Sequence, residues 1–304
     1  MAQNKLTILG CGSALPTKQH FPSSQLLEMR GKQYLIDCGE GTQIRMRQMQ
    51  LRTLRLGHIF ISHLHGDHCF GTIGLITSFA MLNRTADLHI HAPAPFEQLM
   101  KPLIDFHCHE MPFKVIFHHF DTKTYSLIHS DHSVDVYSLP LNHKVPCAGF
   151  LFVEKPKDRH LLPDMLAFYK IPVSQFLKIK QGSDFTSEDG KIIENQLLTK
   201  PPAPPVRFAY CADTAYQKKL VELVQGVDLL YHEATFADQD KSRATLTCHS
   251  TAGQAATIAL QANVKQLIIG HYSARYNSKS ELLAQAQAVF ANTILGEDMK
   301  IYEF

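Results

Sequence analysis

The amino-acid sequence predicts an α/β protein in which strands and helices alternate along most of the chain. Strand-like apolar runs are separated by segments with helical periodicity, which is typical of layered α/β domains. Several of these runs are rich in β-branched and aromatic residues without regular alternation, which indicates sheets covered on both faces. A run of histidines follows one such strand, at a position where α/β sheets often carry functional residues.

The strand-like runs form two groups with an irregular stretch between them. The first group covers residues 5–10, 33–38, 58–62, 87–91, 114–120, 134–141 and 148–154. The second covers residues 206–212, 228–232, 266–271 and 300–304. Helical patterns lie between them at 40–50, 66–82, 93–105, 215–225, 250–263 and 280–290. We therefore expect a single domain over 1–304, made of two related halves at about 1–154 and 206–304.

The stretch 155–205 interrupts this rhythm and is predicted to be a protruding insertion. It ends in the proline-rich run 201–205, which stiffens the chain. It contains eight Lys and Arg residues against six Asp and Glu residues. A solvated linker or a small interaction hairpin is the alternative interpretation of such a composition.

Charge and cysteine content limit the classes of function. The chain of 304 residues has a formal net charge of +2 and a pI of about 8.1, so local patches would have to bind any polyanion. Its start has no signal-peptide pattern, and no apolar run reaches the ~18 residues of a membrane span. Seven cysteines without a Cys-x-x-Cys pair favour a reducing, cytoplasmic compartment. Among them, Cys69 is expected to be a small buried residue rather than a ligand.

The most informative segment is 62–68, where three histidines and one aspartate follow an apolar strand. In an extended loop, side chains two residues apart point to the same side, so His63 and His65 can bind one ion. Asp67 and His68 then face a second ion. Imidazole nitrogen and carboxylate oxygen suit zinc or manganese without any thiolate. A surface loop that happens to be rich in histidine is the alternative.

Through this His-x-His-x-Asp-His signature the chain resembles the metallo-β-lactamase fold family, and within it the ribonuclease Z family, which trims tRNA 3′ ends. Further segments carry the resemblance along the whole chain: Gly10-Cys11-Gly12-Ser13 with Pro16 and Lys18, Ile36-Asp37-Cys38-Gly39-Glu40-Gly41-Thr42-Gln43, Ala212-Asp213-Thr214, His232-Glu233-Ala234-Thr235, His249-Ser250-Thr251 and Gly270-His271-Tyr272-Ser273-Ala274-Arg275-Tyr276. The resemblance implies a four-layer αββα sandwich with metal ions at the ends of the sheets.

The resemblance and the ends of three more strand-like runs complete a ligand set for two Zn²⁺ ions per subunit, with Mn²⁺ or another divalent ion as the alternative. The implied assignment is His63, His65 and His143 on one ion, Asp67, His68 and His271 on the other, and Asp213 bridging both. Such ions lower the pKa of a shared water and so provide a nucleophile at neutral pH. Asp67 is the candidate that orients this water or takes its proton.

The resemblance also implies a catalytic pair, His249 and Glu233. Cleavage of a phosphodiester needs a proton for the departing 3′ oxygen, and a carboxylate beside an imidazole favours its protonated form. His249 also precedes the helix that Ser250 or Thr251 is expected to start, so a role beside the N-cap is the alternative. The two roles are compatible.

Lys18, Ser273 and Arg275 are candidate substrate-binding residues for a phosphate or for the 3′ nucleotide. The family's Pro-x-Lys-x-Arg-Asn loop has His20 and Phe21 here in place of its Arg and Asn. His20 offers a charge that depends on pH, and Phe21 offers a surface for base stacking. A solvated loop is the alternative for these two residues.

Six further histidines have no motif around them and are expected to be core or surface residues rather than ligands. They are His107, His109, His118, His119, His129 and His132.

The activity implied by the resemblance is that of a zinc-dependent endoribonuclease that cuts precursor tRNA after the discriminator base. The products would be a tRNA 3′-hydroxyl and a 5′-phosphorylated trailer. The resemblance further implies a homodimer in which the 155–205 arm of one subunit holds tRNA for the other. Such arms carry a Gly-Pro-rich turn, of which residues 170–176 keep one proline. The alternatives are a hydrolase of small phosphodiesters, lactones or sulfate esters, and a silent scaffold subunit, which the filled ligand positions disfavour.

Overall fold

The structure is a computed structural model that describes residues 4–18, 20–108 and 110–304. Residue 19 of the predicted substrate loop and His109 of the motif-free histidines lie outside the described residues. Two compact units make up the chain: Met1–Val153 together with Arg207–Phe304, and Glu154–Val206.

The strands are β1 (Lys5–Gly10), β2 (Ser24–Met29), β3 (Lys32–Ile36), β4 (Leu56–Phe60), β5 (Leu88–Ala92), β6 (Val115–His119), β7 (Ser126–Ser130), β8 (Val134–Pro140), β9 (Ala148–Glu154), β10 (His160–Leu161), β11 (Phe185–Thr186), β12 (Ile192–Ile193), β13 (Thr199–Lys200), β14 (Arg207–Cys211), β15 (Leu229–Glu233), β16 (Gln266–Gly270), β17 (Thr293–Leu295) and β18 (Lys300–Glu303). The helices are α1 (Thr42–Gln48), α2 (Gly66–Cys69), α3 (Gly71–Met81), α4 (Pro95–His107), α5 (Pro163–Phe168), α6 (Phe176–Lys180), α7 (Asn195–Leu198), α8 (Lys219–Leu223), α9 (Lys241–Thr247), α10 (Ala252–Gln261) and α11 (Ser280–Val289).

The larger unit contains two mixed sheets of seven strands each, in the orders β18-β1-β2-β3-β4-β5-β6 and β17-β16-β15-β14-β9-β8-β7. Strands β3 to β6 are parallel neighbours in the first sheet, as are β14 to β17 in the second. Each parallel connection needs a crossover, which α1, α3 and α4 provide in the first sheet and α8, α10 and α11 in the second. The alternation predicted from the sequence is therefore confirmed as an α/β architecture.

The sheets do not divide the chain at the boundaries predicted for the two halves. Strands β7 to β9 come from the predicted first half but belong to the second sheet, and β18 from the predicted second half pairs with β1. The reason is that β9 and β14, on either side of the insertion, are direct antiparallel neighbours, with Val153 opposite Arg207. Pairing between distant strands, rather than position in the chain, thus assigns each strand to a sheet.

The helices and sheets of the larger unit form four layers, in the order helix, sheet, sheet, helix, with buried residues between the layers. Along β3, Tyr34 and Ile36 join the core between the sheets, whereas Leu35 joins a second core. This second core includes Met46 of α1 and Phe79 of α3. Because both faces of each sheet are covered, the strands carry apolar residues on both sides, which explains the lack of regular alternation in the sequence.

Helix α10 begins three residues after His249, the predicted catalytic histidine. Thr251 is its N-cap and forms a capping box with Gln254, in which each side chain accepts a bond from the other's backbone N–H. This reciprocal bonding satisfies two otherwise free donors at the helix start. The prediction that Ser250 or Thr251 starts this helix is confirmed with Thr251 as the N-cap, two residues after His249, and the cap fixes the path of the chain near that residue.

The smaller unit, Glu154–Val206, has short paired strands and a hydrophobic core of its own. The buried apolar residues of this core are Leu166, Ile171, Ile179, Ile193 and Leu198. A solvated linker would have no such core, so these buried residues favour a folded insertion over a linker. Phe168 and Val173 in this unit are 74% and 76% exposed.

Among the helices that the structure describes, none has both the length and the apolar character required to cross a bilayer.

Candidate active site and metal centre

The predicted metal ligands follow the ends of strands from both sheets. Segment 62–68 follows β4 of the first sheet and leads into α2. In the second sheet, His143 follows β8, Asp213 follows β14 and His271 follows β16. The structure brings all seven predicted ligands together in two adjoining groups.

The first ligand group consists of His63, His65, His143 and Asp213, whose candidate ligand atoms lie within 4.8 Å of one another. His65 Nδ1 is 3.1 Å from His63 Nε2 and 3.3 Å from His143 Nε2. Asp213 Oδ2 is 3.7 Å from His63 Nε2 and 3.6 Å from His143 Nε2. Nitrogen ligands about 2.0 Å from a tetrahedral zinc ion are separated by about 3.3 Å, so this spacing fits one ion.

The second ligand group consists of Asp67, His68 and His271, together with the other oxygen of Asp213. His68 Nε2 and His271 Nε2 are 3.3 Å apart, and Asp67 Oδ2 is 3.6 Å from each. Asp213 Oδ1 lies 3.1 Å from His271 Nε2 and 3.4 Å from His68 Nε2. This buried oxygen has no hydrogen-bond partner among the described residues. Asp213 therefore presents one oxygen to each group.

Two of the histidines are held by partners that can only accept a hydrogen bond. His68 Nδ1 is 2.7 Å from Asp37 Oδ2, and His143 Nδ1 is 2.9 Å from the carbonyl oxygen of Cys248. The Nδ1–H of each ring must therefore donate, and in the neutral ring Nε2 keeps its lone pair. Such outer partners fix the tautomer of metal-bound histidines.

Two hydroxyl groups hold the remaining buried histidines in the same way. Thr235 Oγ1 donates to Glu233 Oε2 at 2.8 Å, so it accepts from His271 Nδ1, 2.9 Å away. The hydroxyl of Ser62 donates to a buried carboxylate and lies 3.0 Å from His63 Nδ1. In the neutral rings, the Nε2 lone pairs of both histidines also face the ligand groups.

Nitrogen lone pairs and carboxylate oxygens thus converge on two adjacent places, where only protons or metal cations can balance them. The pKa of His68 shows the sign of the local potential: burial disfavours its charge, yet Asp213 and Asp37 raise the pKa well above its usual range. Burial alone would raise the pKa of Asp213, but His271 and His68 lower it well below its usual range. This donor set, all imidazole nitrogen and carboxylate oxygen, fits two divalent ions.

The predicted catalytic pair lies beside the second ligand group. His249 Nδ1 is 2.8 Å from Glu233 Oε1, and its ring stacks on that of His271 at 5.4 Å. Glu233 is fully buried and accepts bonds at 3.0 Å from the backbone N–H groups of Thr214 and Thr235. Burial opposes a charge on His249, but the charge and hydrogen bond of Glu233 outweigh it and raise the pKa of His249 to about 9. With Nδ1 bound to Glu233, Nε2–H is the free donor of the ring.

A cavity of about 650 Å³ opens over the ligand groups and the catalytic pair. Its lining includes Asp67, whose Oδ2 accepts a 2.7 Å hydrogen bond from the backbone N–H of Ala14. Lys144 and Phe70 also line it, and the Phe70 side chain is 71% exposed. A cation and an exposed ring beside a metal centre suit a ligand that combines phosphates with flat bases.

The three predicted substrate-binding residues are not among the residues that line this cavity. Lys18 is exposed and lines two neighbouring cavities of about 210 and 530 Å³. Arg275 Nη1 is 3.4 Å from Asp240 Oδ1, and its guanidinium lies 5.1 Å from the centre of the Phe236 ring. The backbone N–H of Ser273 donates a 3.3 Å hydrogen bond to the carbonyl oxygen of Thr235.

Both residues that replace the family's Arg and Asn have partners within the fold. His20 Nδ1 is 3.2 Å from Asp298 Oδ1, and the backbone N–H of Phe21 donates to Asp298 Oδ2 at 2.8 Å. The guanidinium of Arg45 lies 3.8 Å from the centre of the Phe21 ring. One face of Phe21 is therefore already covered by a cation.

The role of Asp37 was missed from the sequence, although the residue is part of a family segment. It is fully buried and has a left-handed backbone conformation, with φ of 55°, directly after β3. His271 has the same conformation, with φ of 61°, after β16. A non-glycine residue held in this region immediately after a strand is a feature of functional sites, but it leaves no mark in a single sequence. Cys69 is buried and bonds the carbonyl oxygen of His65, as expected for a residue that is not a ligand.

Solved structures of other proteins share this fold over almost the whole chain. Human tRNase Z, short form, matches with a TM-score of 0.72 at 24% identity, covering 98% of both chains. The metallo-beta-lactamase fold protein YhfI from Bacillus subtilis matches with a TM-score of 0.70 at 18% identity, covering 100% of both chains. The fold is therefore the metallo-β-lactamase fold, and the His and Asp cluster is the metal-binding motif typical of it.

Sequence comparison narrows the class further. A family model described as Anti-Pycsar protein Apyc1 matches residues 4–100, about a third of the chain. Ribonuclease Z of Bacteroides fragilis (strain YCH46) is 53% identical over 298 residues, which covers 98% of both chains. Ribonuclease Z of Porphyromonas gingivalis (strain ATCC BAA-308 / W83) is 51% identical over 298 residues, again 98% of both. The chain belongs to the ribonuclease Z family, the endonucleases that process tRNA 3′ ends.

Proposed function

We propose that the protein removes the 3′ trailer of precursor tRNA by hydrolysing the phosphodiester bond after the discriminator base. The products are a tRNA 3′-hydroxyl and a trailer with a 5′-phosphate. The observation that carries this proposal is the position of the His249–Glu233 pair beside two groups of metal ligands in one open cavity. This arrangement combines activation of water with protonation of a leaving oxygen, which phosphodiester hydrolysis requires.

We assign two Zn²⁺ ions to each subunit, with Mn²⁺ as the alternative. One ion would be held by His63, His65 and His143 and the other by Asp67, His68 and His271, and Asp213 would offer one oxygen to each. When bound, the ions lower the pKa of water and offset the negative charge of the phosphate. The imidazole-rich donor set favours zinc over magnesium or calcium, which prefer oxygen ligands.

The protein's own residues then move the protons. Asp67 is oriented by the Ala14 N–H and is positioned to hold the attacking water. His249 carries a proton at neutral pH because of Glu233, and its free Nε2–H donates that proton to the departing 3′ oxygen. Glu233 acts only through His249, since backbone N–H groups and a hydroxyl occupy its oxygens.

Lys18, Ser273 and Arg275 are proposed to contact the RNA outside the central cavity. Lys18 supports this role best, because it is exposed and lines a cavity that shares Pro16 and Glu40 with the central one. Arg275 would have to exchange its pairing with Asp240 for a phosphate.

We propose that residues 1–304 form one metallo-β-lactamase-like domain with an inserted arm, 155–205, that binds tRNA at an exosite. The arm has its own core and exposed Phe168 and Val173, and it carries more basic than acidic residues. We further propose a homodimer in which each arm serves the partner's active site. Seven free cysteines, six of them buried, support a cytoplasmic location.

The first test maps the ends produced from a precursor tRNA with a 3′ trailer. We expect a single cut after the discriminator, which Asp67→Ala abolishes. Because Val153 and Arg207 are opposite each other on adjacent antiparallel strands, a short Asn-Gly turn can replace the arm without displacing them. This arm deletion should raise KM for the precursor but leave hydrolysis of a small phosphodiester intact. Turnover of the small phosphodiester without any cut in the precursor would contradict the proposed function and favour a small-ester hydrolase.

The dimer is tested by mixing two proteins that are each impaired in precursor cleavage, the arm deletion and Asp67→Ala. If each arm serves the partner's site, mixed dimers combine an intact arm with an intact site, and precursor cleavage is restored. An active monomer, or no restoration in mixed dimers of demonstrated composition, would contradict this part of the proposal.

A further inference from the structure

A second concentration of histidines lies between the two sheets of the larger unit. We call it the histidine cluster; its members are His58 on β4, His89 and His91 on β5, His118 on β6 and His129 on β7. Strand register creates it, because His58 is paired with His89 and His91 with His118 on neighbouring strands. No motif in the sequence includes these residues, and His118 and His129 were expected to be ordinary core or surface residues.

Three members of the cluster have the spacing of a metal site. His58 Nδ1 and His91 Nε2 are 3.2 Å apart, and the ring centres of His58 and His129 are 4.2 Å apart. One nitrogen from each of these three residues lies within 4.8 Å of the other two. A tetrahedral zinc ion places its nitrogen ligands about 3.3 Å apart, so the pair at 3.2 Å already matches two of its corners.

The chemistry of the three rings also favours a metal ion. Burial lowers the pKa of His58 to about 3 and that of His91 to about 2, so both rings are neutral at physiological pH. Neutral imidazole is the form that binds transition metals. His129 Nε2 is 3.4 Å from Asp131 Oδ2, so it donates to the carboxylate and leaves Nδ1 with its lone pair. Asp131 is itself held by Lys32 at 2.8 Å.

A purely structural role leaves part of this cluster unexplained. His91 is 2% exposed, and its Nδ1 has no hydrogen-bond partner among the described residues. Buried polar atoms without partners are costly, and apolar side chains of similar size would pack between sheets without that cost. The nitrogen of His91 that faces His58 is Nε2, so this unpartnered Nδ1 is not the proposed ligand atom. The ligand is inferred from the convergence of one nitrogen from each of His58, His91 and His129 between the sheets.

We propose that His58, His91 and His129 bind a third transition-metal ion of the zinc class, separate from the two ions of the active site. No residue belongs to both centres. His89 and His118 surround the site, with His89 Nδ1 2.9 Å from His118 Nε2. Because His58 and His91 belong to the first sheet and His129 to the second, the ion would cross-link the two sheets.

The experiment counts zinc ions in protein expressed without a polyhistidine tag. After dialysis against excess Zn²⁺, we expect about three ions per chain for the unmodified protein and about two for His58→Gln and for His129→Gln. The matched control is His119→Gln: His119 neighbours His118 on β6 but pairs with Glu97 outside the cluster, and its variant should keep about three. Precursor cleavage should stay within about twofold in all three variants, since none touches the active site.

Anomalous scattering at the zinc edge locates the third ion directly in crystals of the unmodified protein, which does not depend on the variants folding. A peak between the three imidazoles supports the proposal. Saturation at two ions per chain, or a third ion that persists in both His58→Gln and His129→Gln, would overturn it.

Discussion

Asp37 is a residue on which the metal centre depends although it faces away from the cavity. It accepts hydrogen bonds from the backbone N–H and hydroxyl of Ser62 at 2.8 and 2.9 Å, from the hydroxyl of Tyr210 at 2.6 Å and from His68 Nδ1 at 2.7 Å. It therefore holds His68 directly and His63 through Ser62. Loss of such an outer carboxylate reorients the ligand ring and makes it less basic.

We accordingly predict that Asp37→Asn lowers zinc affinity by about 10–100-fold while the protein stays folded. Competition with a chromophoric chelator measures this change. Asp121→Asn is the matched control, because Asp121 caps an exposed turn through the N–H of Lys123. Unchanged affinity in Asp37→Asn would show that the carboxylate only fills space.

The roles of His249 and Glu233 can be separated from those of the metal ligands by the choice of leaving group. A ribose 3′ oxygen needs a proton when it departs, whereas a 4-nitrophenolate does not. We predict that His249→Ala and Glu233→Gln lower kcat for precursor tRNA by about 10²–10⁴-fold without raising KM. Both variants should keep hydrolysis of bis(4-nitrophenyl) phosphate and full metal content. An equal loss on both substrates would instead assign the pair to metal binding or water activation.

At the residue scale, the sequence predicted the functional side chains that belong to a motif, but it did not predict the contacts that these side chains make. The seven predicted ligands lie together in the structure, because each follows one of the strands β4, β8, β14 and β16, and the ends of these strands lie close to one another. The hydrogen bond of Thr235 to His271 and the burial of Asp37 depend on neighbours far along the chain. Likewise, nothing local indicates that Arg275 pairs with Asp240.

At the scale of elements, the packing of α3 against the loop after β3 positions the histidine segment. A Cβ on Gly71, the first residue of α3, would lie 2.0 Å from the carbonyl oxygen of Gly39. A Cβ on Gly39 would in turn lie 2.6 Å from the carbonyl oxygen of Asp67. The helix, this loop and the ligand segment therefore touch through backbone atoms, which cannot move aside as a side chain does.

We predict that Gly71→Ala destabilises the fold by about 1–3 kcal/mol, as overpacking does, and lowers zinc affinity as well. Denaturant unfolding and chelator competition measure the two effects. Gly57→Ala on β4 is the matched control, because a Cβ there would have no heavy atom of the described residues within 4 Å. If Gly71→Ala proves as stable as Gly57→Ala, the close approach does not constrain the ligand segment.

Strands with a continuous apolar pattern were predicted at the correct positions, whereas a strand without such a pattern was missed. The runs predicted at 5–10 and 148–154 coincide with β1 and β9. Strand β2, Ser24–Met29, was missed because polar residues flank its two leucines, and yet Gln25 in it is fully buried. Its strand conformation is set by pairing with β1 and β3 rather than by local preference.

At the scale of the whole molecule, strand pairing between segments that are distant in the chain could not be predicted from the sequence. The layered α/β class follows from local periodicity, and it is confirmed. The exchange of strands between the predicted halves is not local: β18 pairs with β1 almost 300 residues earlier in the sequence, with Leu6 opposite Tyr302. Such pairing has no signal within either segment, because an edge strand needs only a neighbour with free backbone groups.

Because of this topology, the ligands of the metal centre come from both sheets. His63, His65, Asp67 and His68 follow β4 of the first sheet, whereas His143, Asp213 and His271 follow strands of the second. Both ligand groups therefore include residues from both sheets. Ions that bind only the folded arrangement stabilise it according to their affinity and concentration.

We accordingly predict that removal of metal lowers the thermal stability of the protein as well as abolishing its activity. At a free zinc concentration about 100-fold above Kd, a single site contributes about 2.7 kcal/mol, so chelation should lower Tm by several degrees. Differential scanning calorimetry with and without a chelator measures the shift, and adding Zn²⁺ back should restore both Tm and cleavage. Asp213→Asn removes the ligand shared by both groups, so, when both proteins carry His58→Gln to remove the proposed third site, its Tm should respond much less to the chelator. If the two proteins lose the same number of degrees, the stabilising ion is held elsewhere, and the active-site ions do not join the sheets.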